Sequence, residues 1–274
     1  MEPILNALAP LWAVCKIPAD LPLLPFARQK PLPAGVRCAV CAAFPYRLPE
    51  AYDSNRNIAR YAVGADYHAV CGARLARACK ALRVLFPGEV FEWYCDNAPL
   101  PEVALAAHAG LGVRGQHNLL ITKAFGTWVF LGEIVTTAAL PAKSNASLPK
   151  INCRQCPAPC KSSCPTGTLQ AGFCREDCVS HISQKKGLLT HEEETALRQA
   201  QTAWGCDLCQ EACVANRHAQ TNPLPEFLQS PTPCLAEETP IEGRAYAWRG
   251  RDVLLRNLRI LGRVDTKNLY SQAY

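Results

Sequence analysis

The sequence predicts a mixed protein of helices and strands, α+β or α/β, joined to a ferredoxin-like domain with two [4Fe–4S] clusters. Three observations support this prediction. Apolar runs of strand length alternate with runs of helical period between residues 36 and 140. Nine of the 16 cysteines then fall between Cys153 and Cys213. The chain has 274 residues, 49% of them hydrophobic, which is enough to bury a core in one domain or two.

The first half of the chain is expected to alternate strands and helices. Residues 1–35 are rich in Pro and Leu without a clear period, which predicts an irregular arm with one helix. Apolar residues then recur at three-and-four spacing after Asp66, which is a candidate helix cap. The predicted elements are a strand over Val36–Phe44, a helix from Asp66 to about Phe86, a strand over Val90–Cys95, a helix over Pro101–Ala109, and strands over Asn118–Ile121 and Thr127–Val135 joined by a turn.

The chain is accordingly divided into five segments. They are an arm over residues 1–35, an α/β domain over 36–140, a polar linker over 141–152, a cluster domain over 153–220 and a C-terminal segment over 221–274. The last segment contains an arginine-bearing helix from about Trp248 to Leu261, which we expect to pack back on the core. Its basic charge fits contact with nucleic acid, or equally a solvated helix face.

Cysteine spacing carries the strongest chemical signal. Four thiolates on a short, turning backbone hold a [4Fe–4S] cluster, and two-cluster ferredoxins share out a run that ends in Cys-Pro, as Cys164-Pro165 does here. By that crossed pattern one cluster takes Cys153, Cys156, Cys160 and Cys213. The other takes Cys164, Cys206, Cys209 and a residue between them, for which Cys174 and Cys178 compete. Two zinc sites are the alternative, although no His lies near the pairs.

So many free thiols without an export signal point to a reducing compartment. Cys38 and Cys41 are three apart on a predicted strand, so they face opposite sides and are expected in the core rather than on a metal. Cys71 and Cys79 fall on the apolar face of a predicted helix and are expected there too. The N-terminal stretch lacks a basic start, which predicts no signal peptide and no membrane span. A cytoplasmic protein with a mild net charge of +6 is expected.

Asp96 is the candidate acid. It falls where a predicted strand gives way to a loop, a common position for functional groups. A carboxylic acid beside Tyr94, Cys95 and Ala98 could donate a proton at neutral pH. A helix cap is the alternative interpretation of the same position.

Several motifs together resemble those of the epoxyqueuosine reductases. They appear in the family's order from about Val36 to Leu261: Ala59-Arg60-Tyr61-Ala62-Val63-Gly64-Ala65-Asp66-Tyr67-His68, Asp96-Asn97-Ala98-Pro99-Leu100-Pro101-Glu102, Ala109-Gly110-Leu111-Gly112, Phe130-Leu131-Gly132-Glu133-Ile134, Cys164-Pro165-Thr166-Gly167 and Gly205-Cys206-Asp207-Leu208-Cys209-Gln210. The resemblance is to a short form without the C-terminal helical-repeat extension.

The resemblance implies an enzyme that reduces epoxyqueuosine to queuosine in a tRNA anticodon. It implies cobalamin and two [4Fe–4S] clusters as cofactors, and a cobalamin-binding domain like that of reductive dehalogenases. Asp96 aligns with the family's proton donor, and Cys178 rather than Cys174 aligns with its eighth cluster ligand. The residues expected near the corrin are Arg60, Tyr61, Tyr67, His68, Asp96 and Leu120.

The expected partners are epoxyqueuosine-modified tRNA and an electron donor such as ferredoxin or flavodoxin, with the protein as a monomer and no membrane. The chain departs from the family at Pro157-Ala158-Pro159, one residue longer than usual, and over Ser180–Lys185, which in family members lies near bound tRNA. The second departure favours one alternative, a related reductase acting on a small molecule or a corrinoid protein. A separate alternative is an electron-transfer protein without cobalamin.

Overall fold

The computed structural model describes residues 1–25, 30–52, 55–221 and 223–264. It forms two compact units, each assembled from separate stretches of the chain. The first unit contains residues 1–47, 67–156 and 215–224, and the second contains residues 48–66, 157–214 and those from 225 onward. The five continuous segments expected from the sequence remain a prediction.

The first unit is built on an antiparallel sheet. The chain forms seven strands within its described residues: β1 (Leu11–Lys16), β2 (Cys38–Pro45), β3 (Phe91–Tyr94), β4 (Val113–Arg114), β5 (Leu120–Ile121), β6 (Val129–Thr136) and β7 (Lys143–Ser144). Five of them form one sheet in the order β3-β6-β2-β1-β7, and β4 pairs with β5 in a second sheet. Every strand pair is antiparallel. The fold is therefore α+β, the first of the two expected classes, and not a parallel α/β sheet.

Helices cover both faces of this sheet. The helices of the first unit are α1 (Glu2–Leu8), α2 (Tyr67–Leu85) and α3 (Glu102–His108). Gly132 of β6 lies against α2, because an added Cβ there would come 2.7 Å from a methyl carbon of Leu75. Residues on the opposite side of the strands pack with Leu105 and Ala106 of α3. This second layer is the apolar core that lies beneath Asp96.

Two predictions about the first unit were wrong. Leu11–Lys16 is a strand within the segment expected to be an irregular arm. It pairs with β2, with Leu11 opposite Ala43 at one end and Lys16 opposite Cys38 at the other. Four consecutive residues of β1 are buried, so the strand lacks the polar–apolar alternation that would have marked it. The strand expected over Asn118–Ile121 shortens to β5 and pairs with β4, not with the strand that follows it.

The second unit consists of short helices and turns. Its α-helices, within the described residues, are α4 (Pro159–Ser162), α5 (Thr168–Ala171), α6 (Val179–Ile182), α7 (His191–Ala200), α8 (Leu208–Glu211) and α9 (Arg251–Ile260). A small core of Val179, Ile182, Ala196 and Leu197 joins α6 to α7. A capping box at Thr190 and Glu193 begins α7.

Helix α9 packs against the rest of the second unit through polar groups as well as apolar ones. Asn257 is fully buried, and its side-chain amide donates to the carbonyls of Ser183 at 2.8 Å and Ala203 at 2.7 Å. Arg256 donates to the carbonyls of Lys185 and Gly187, both at 2.6 Å. One of the arginines expected to be available to nucleic acid or solvent is thus engaged with the protein's own backbone.

Candidate active site and cluster site

Asp96 lies directly beyond β3 in an unusual backbone conformation. Its φ is +59°, in the left-handed region that few residues other than glycine adopt. Two hydrogen bonds hold the turn: the Cys95 amide donates to Asn97 Oδ1 at 3.1 Å, and the Asp96 amide donates to Glu102 Oε1 at 2.9 Å. Backbone strain held by its surroundings is typical of functional sites.

Two side chains at the start of α2 reach the Asp96 carboxyl group. The Tyr67 hydroxyl donates to Oδ2. His68 Nε2 lies 3.7 Å from the same oxygen, and the side chains of His68 and Asp96 are 45% and 46% exposed. Asp96 is thus oriented by protein groups on one side and open on the other. Three of the residues that the sequence analysis singled out, Tyr67, His68 and Asp96, are brought together here.

An aromatic stack extends from this point into the first unit. The ring of Tyr67 lies 4.0 Å from that of His68 and 4.2 Å from that of Phe130, which is nearly parallel to it at 8°. Tyr46 continues the stack at 4.4 Å from Phe130. Flat apolar rings beside a carboxyl group are compatible with a planar macrocycle such as a corrin. Binding of cobalamin on this side of Asp96 remains a prediction.

Sequence reasoning missed two carboxyl groups behind Asp96. Glu133 is 1% exposed, and neither of its oxygens has a hydrogen-bond partner among the described residues. Burial, reinforced by the charge of Asp96, raises the pKa of Glu133 to about 8, although interaction with Glu102 opposes the shift. Burial and the Glu133 charge likewise raise the pKa of Glu102 well above its usual value. The available signal was a glutamate inside a run that otherwise fits a buried strand.

Leu120 and the glycine loop before it belong to the interior of the first unit. Leu120 is 2% exposed and packs in the core beneath Asp96. An added Cβ at Gly112 would lie 2.3 Å from the carbonyl oxygen of Ile121, so only glycine fits there. Contact between Leu120 and a corrin remains a prediction.

Four of the predicted cluster cysteines share one environment in the second unit. Cys164 and Cys178 both raise the pKa of Cys209 and of Cys206, and Cys206 in turn raises that of Cys209. Burial is the largest cause at both sites, and it brings the pKa of Cys206 to about 12. Four thiols that oppose one another's ionisation need a bound cation to become thiolates together. This donor set fits a [4Fe–4S] cluster.

Backbone amides and a hydroxyl stabilise one of these four as a thiolate. Burial alone would raise the pKa of Cys164, but the Thr166 hydroxyl and the amides of Leu169, Thr166 and Thr168 bring it below its usual value. Cys174 is not among the groups that raise the pKa of Cys206 or Cys209, and its thiol contacts Glu176 Oε2 at 3.4 Å. The mutual pKa effects of Cys164, Cys178, Cys206 and Cys209 support Cys178 as the eighth ligand, and the choice of Cys178 over Cys174 remains a prediction.

The other four predicted ligands are divided between the two units. Cys160 and Cys213 are buried in the second unit, where α4, which carries Cys160, packs against α8. Cys153 and Cys156 belong to the first unit, where Gln116 donates from its side-chain amide to the Cys153 carbonyl. Their joint role as ligands of a cluster stays a prediction from spacing. Among the described residues, no three His, Cys, Asp or Glu side chains are placed as ligands of a single metal ion.

Arg60 and Tyr61, predicted near the corrin, contact the loop that carries Cys206 and Cys209. Asp207 Oδ2 accepts from the Arg60 amide at 2.6 Å and from Arg56 Nη1 at 2.9 Å. The guanidinium of Arg60 also pairs with Glu211. An added Cβ at Gly205 would lie 2.7 Å from a ring carbon of Tyr61, and the φ of Gly205 is +69°. Both residues therefore position the cluster loop, and their contact with a corrin remains a prediction.

Four cysteines outside the predicted cluster ligands lie in the apolar core. Cys38, Cys41, Cys71 and Cys79 are each at most 1% exposed, which confirms the prediction that they belong to the core. Across the described part of the chain, no helix is both long enough and apolar enough to cross a membrane.

Comparison with known proteins identifies the family. The family model described as "Epoxyqueuosine reductase QueG, DUF1730" matches residues 27–97. The epoxyqueuosine reductase of Listeria monocytogenes is 32% identical over 245 residues, which cover 81% of this chain and 62% of the relative. That of Gloeobacter violaceus is 38% identical over 204 residues, covering 70% of this chain and 60% of the relative. The chain belongs to the epoxyqueuosine reductase family, and it spans about three fifths of the length of these relatives.

A solved structure shows the same fold. It is an epoxyqueuosine reductase crystallised with an epoxyqueuosine-modified tRNA-Tyr stem loop, and it superimposes with a TM-score of 0.70. The match covers 86% of this chain and 69% of that one at 23% identity.

Proposed function

We propose that this protein is an enzyme that reduces epoxyqueuosine in tRNA to queuosine. The observation that carries the proposal is the Asp96 turn, in which a half-exposed carboxyl group is oriented by Tyr67 and His68. The printed names of the relatives and the tRNA stem loop in the solved structure support the same reaction. Reductive opening of an epoxide needs electrons and an acid for the oxygen that develops charge.

In this proposal Asp96 donates the proton, and Tyr67 and His68 orient its carboxyl group. Cobalamin, when bound beside the aromatic stack, supplies the strongly reducing centre. Cys164, Cys178, Cys206 and Cys209 hold one [4Fe–4S] cluster, and Cys153, Cys156, Cys160 and Cys213 hold the other. The electron donor is a ferredoxin or flavodoxin, and the protein acts as a cytoplasmic monomer.

The deciding experiment measures turnover. The protein is reconstituted anaerobically with iron, sulfide and cobalamin, reduced, and given tRNA that carries epoxyqueuosine. Digested tRNA is then analysed for queuosine by mass spectrometry. Queuosine that requires cobalamin supports the proposal. Its absence, from protein shown to contain both clusters and cobalamin, would refute it.

Replacing Asp96 tests the proton donor. Asp96→Asn removes the acidic proton but keeps the shape, so turnover should fall by about 10²-fold or more while cofactor loading is unchanged. Asp252→Asn, at an exposed carboxylate on α9, is the matched control and should retain full turnover. Equal rates in Asp96→Asn and the unmodified protein would exclude Asp96 as the acid.

A second candidate, reduction of a different substrate, is favoured by one observation. Residues 180–185 depart from the family, and within the second unit Ser183 is fully buried. Its hydroxyl accepts from the Gly205 amide at 3.0 Å and its carbonyl accepts from Asn257. This segment therefore also supports the loop that carries Cys206 and Cys209, a role that does not depend on which substrate is reduced. Protein that contains both clusters and cobalamin but leaves epoxyqueuosine unchanged would direct the search to this candidate.

A further inference from the structure

We propose that the partly buried Glu102 and the buried Glu133 form a carboxyl pair that holds one proton between them and thereby stabilises the Asp96 turn, an arrangement that we call the latch. The proposal rests on the proposed function for the role of Asp96. It assigns Glu102 and Glu133 as positioning residues, because neither is placed to touch a substrate through the turn.

The first step of the argument is the contact between the pair and the turn. Glu102 Oε1 accepts the amide of Asp96 at 2.9 Å. Asp96 is in a left-handed conformation, which is unfavourable for a residue with a Cβ. An acceptor for its amide is therefore what keeps the carboxyl of Asp96 beside Tyr67. Glu102 begins α3, which packs on β6, so the acceptor is fixed to a rigid element.

The second step is the isolation of Glu133. It lies in the middle of β6, opposite Cys41 of β2 and Tyr94 of β3 in the strand register. Its carboxyl oxygens are buried, and no N–H or hydroxyl group of the described residues donates to them. No Lys or Arg in the described part of the chain contributes to the pKa shift of Glu133. The titratable groups that face it are Glu102, Asp96, Cys41 and Tyr94, and none of these is a cation at neutral pH.

The third step follows from hydrogen-bond chemistry. Helix α3 packs on β6, and the side chains of Glu102 and Glu133 interact. Two ionised carboxylates only accept hydrogen bonds, so these two groups can bond to each other only when one carries a proton. Adjacent buried carboxylates therefore share a proton rather than ionise together. Glu133 is the more deeply buried, so it is the acid, and Glu102 is the carboxylate that accepts both from it and from the Asp96 amide.

The latch depends on pH in a defined direction. Below about pH 8, the pKa of Glu133, the pair keeps its proton and the turn is held. Above that pH both carboxyl groups ionise, and the repulsion is relieved when Glu102 and the Asp96 turn move toward solvent. Amide hydrogen exchange of residues 95–97 should therefore accelerate about tenfold per pH unit beyond the intrinsic rate as the pair loses its proton.

Variants separate the two members of the pair. Glu133→Gln donates an amide to Glu102 and cannot lose a proton, so exchange in the turn should become independent of pH between 7 and 9 after intrinsic correction. Glu102→Ala removes the acceptor and should lose protection at every pH, whereas Glu102→Gln restores an acceptor and should recover it. Glu89→Gln, at an exposed glutamate before β3, is the matched control and should behave like the unmodified protein.

Infrared spectroscopy detects the shared proton directly. The carbonyl band of a protonated, buried carboxylic acid should be present at pH 7 in the unmodified protein, vanish above pH 8, and be missing in Glu133→Gln. A band unaffected by Glu133→Gln, or turn exchange that is equally pH-dependent in Glu133→Gln, would overturn the proposal. The unmodified protein alone also provides one test that needs no variant: a carboxylic acid band that does not weaken above pH 8, together with turn exchange that keeps its intrinsic pH dependence, would overturn the proposal.

Turnover separates this proposal from the proposed function. If the latch readouts behave as expected but no queuosine forms, the proposed function fails and the latch stands. If queuosine forms but the exchange rate of the turn and the carboxylic acid band are unchanged by substitution of Glu133 or Glu102, the latch fails and the function stands. If both hold, kcat should fall above pH 8 in the unmodified protein and not in Glu133→Gln.

Discussion

Cys174 and Cys178 are four residues apart, but only Cys178 influences the ionisation of Cys206 and Cys209. Spacing alone left the choice between them open, because either could complete the crossed pattern. The prediction of Cys178 depends on how the turn before α6 places its thiol relative to Cys164, and such a turn has no strong signal in the sequence.

Replacing each of these two cysteines should give opposite results. Cys178→Ser should lower the iron content of reconstituted protein by about half, because one of two clusters loses a ligand. Cys174→Ser, the matched control, should keep the full content and the same absorbance spectrum. Iron and sulfide assays after gel filtration measure both. Loss of iron in Cys174→Ser with retention in Cys178→Ser would reverse the assignment.

Gly205 illustrates how one residue fixes the cluster loop. It has a φ of +69°, and an added Cβ would lie 2.6 Å from the Cβ of Ala59. Gly205→Ala combines backbone strain with overpacking and should destabilise the second unit by about 3 kcal/mol. Gly243 has the same φ and open space around it, so Gly243→Ala should cost only about 1–2 kcal/mol.

Thermal unfolding of the two glycine variants measures this difference. We expect a lower midpoint for Gly205→Ala than for Gly243→Ala, together with poorer cluster loading in the former. Equal midpoints would mean that only the backbone conformation matters and that the close contact with Ala59 relaxes at no cost.

The secondary-structure elements were predictable in proportion to their length and amphipathic character. Helix α2 begins one residue after the expected cap Asp66 and ends at Leu85, because its apolar positions recur over five turns. Strand β1 was missed because it is buried on both faces and has no alternation. Glu133 could be located on a strand, but its isolation depends on β2, β3 and α3, which come from distant parts of the sequence.

Helix α9 depends on one buried amide for its position. Asn257→Leu would leave the carbonyls of Ser183 and Ala203 without donors, at a cost of about 2–5 kcal/mol. Asp252→Leu, at an exposed site on the same helix, should cost less than about 1 kcal/mol. Limited proteolysis near residue 250 and thermal midpoints distinguish the two. Similar midpoints would show that apolar contacts alone dock α9.

At the scale of the whole molecule, the cluster region and the Asp96 region were predictable as separate entities, but not their boundaries. The first unit includes residues 215–224, which follow every predicted cluster cysteine. Asn216 explains why: its side chain accepts from the Thr127 amide at 2.8 Å and donates to the Thr127 hydroxyl at 2.7 Å. No local pattern in the sequence predicts this contact between Asn216 and Thr127, which are 89 residues apart.

Fragments of the chain test this arrangement. A fragment of residues 1–156 lacks Asn216, so hydrogen exchange in β6 should be fast and the near-ultraviolet circular dichroism weak. A fragment of residues 1–224 contains the complete first unit and should protect β6. Equal protection in the two fragments would show that residues 215–224 are dispensable for the fold of the first unit.

The interleaving of the two units also sets an order of events during translation. Residues 215–224 leave the ribosome after Cys213, so all nine clustered cysteines are synthesised before the first unit has its last segment. Domains generally fold as units while the chain is made, and the first unit cannot be completed until residues 215–224 have been synthesised. The cluster cysteines are therefore available to iron before the unit that contains Asp96 is complete.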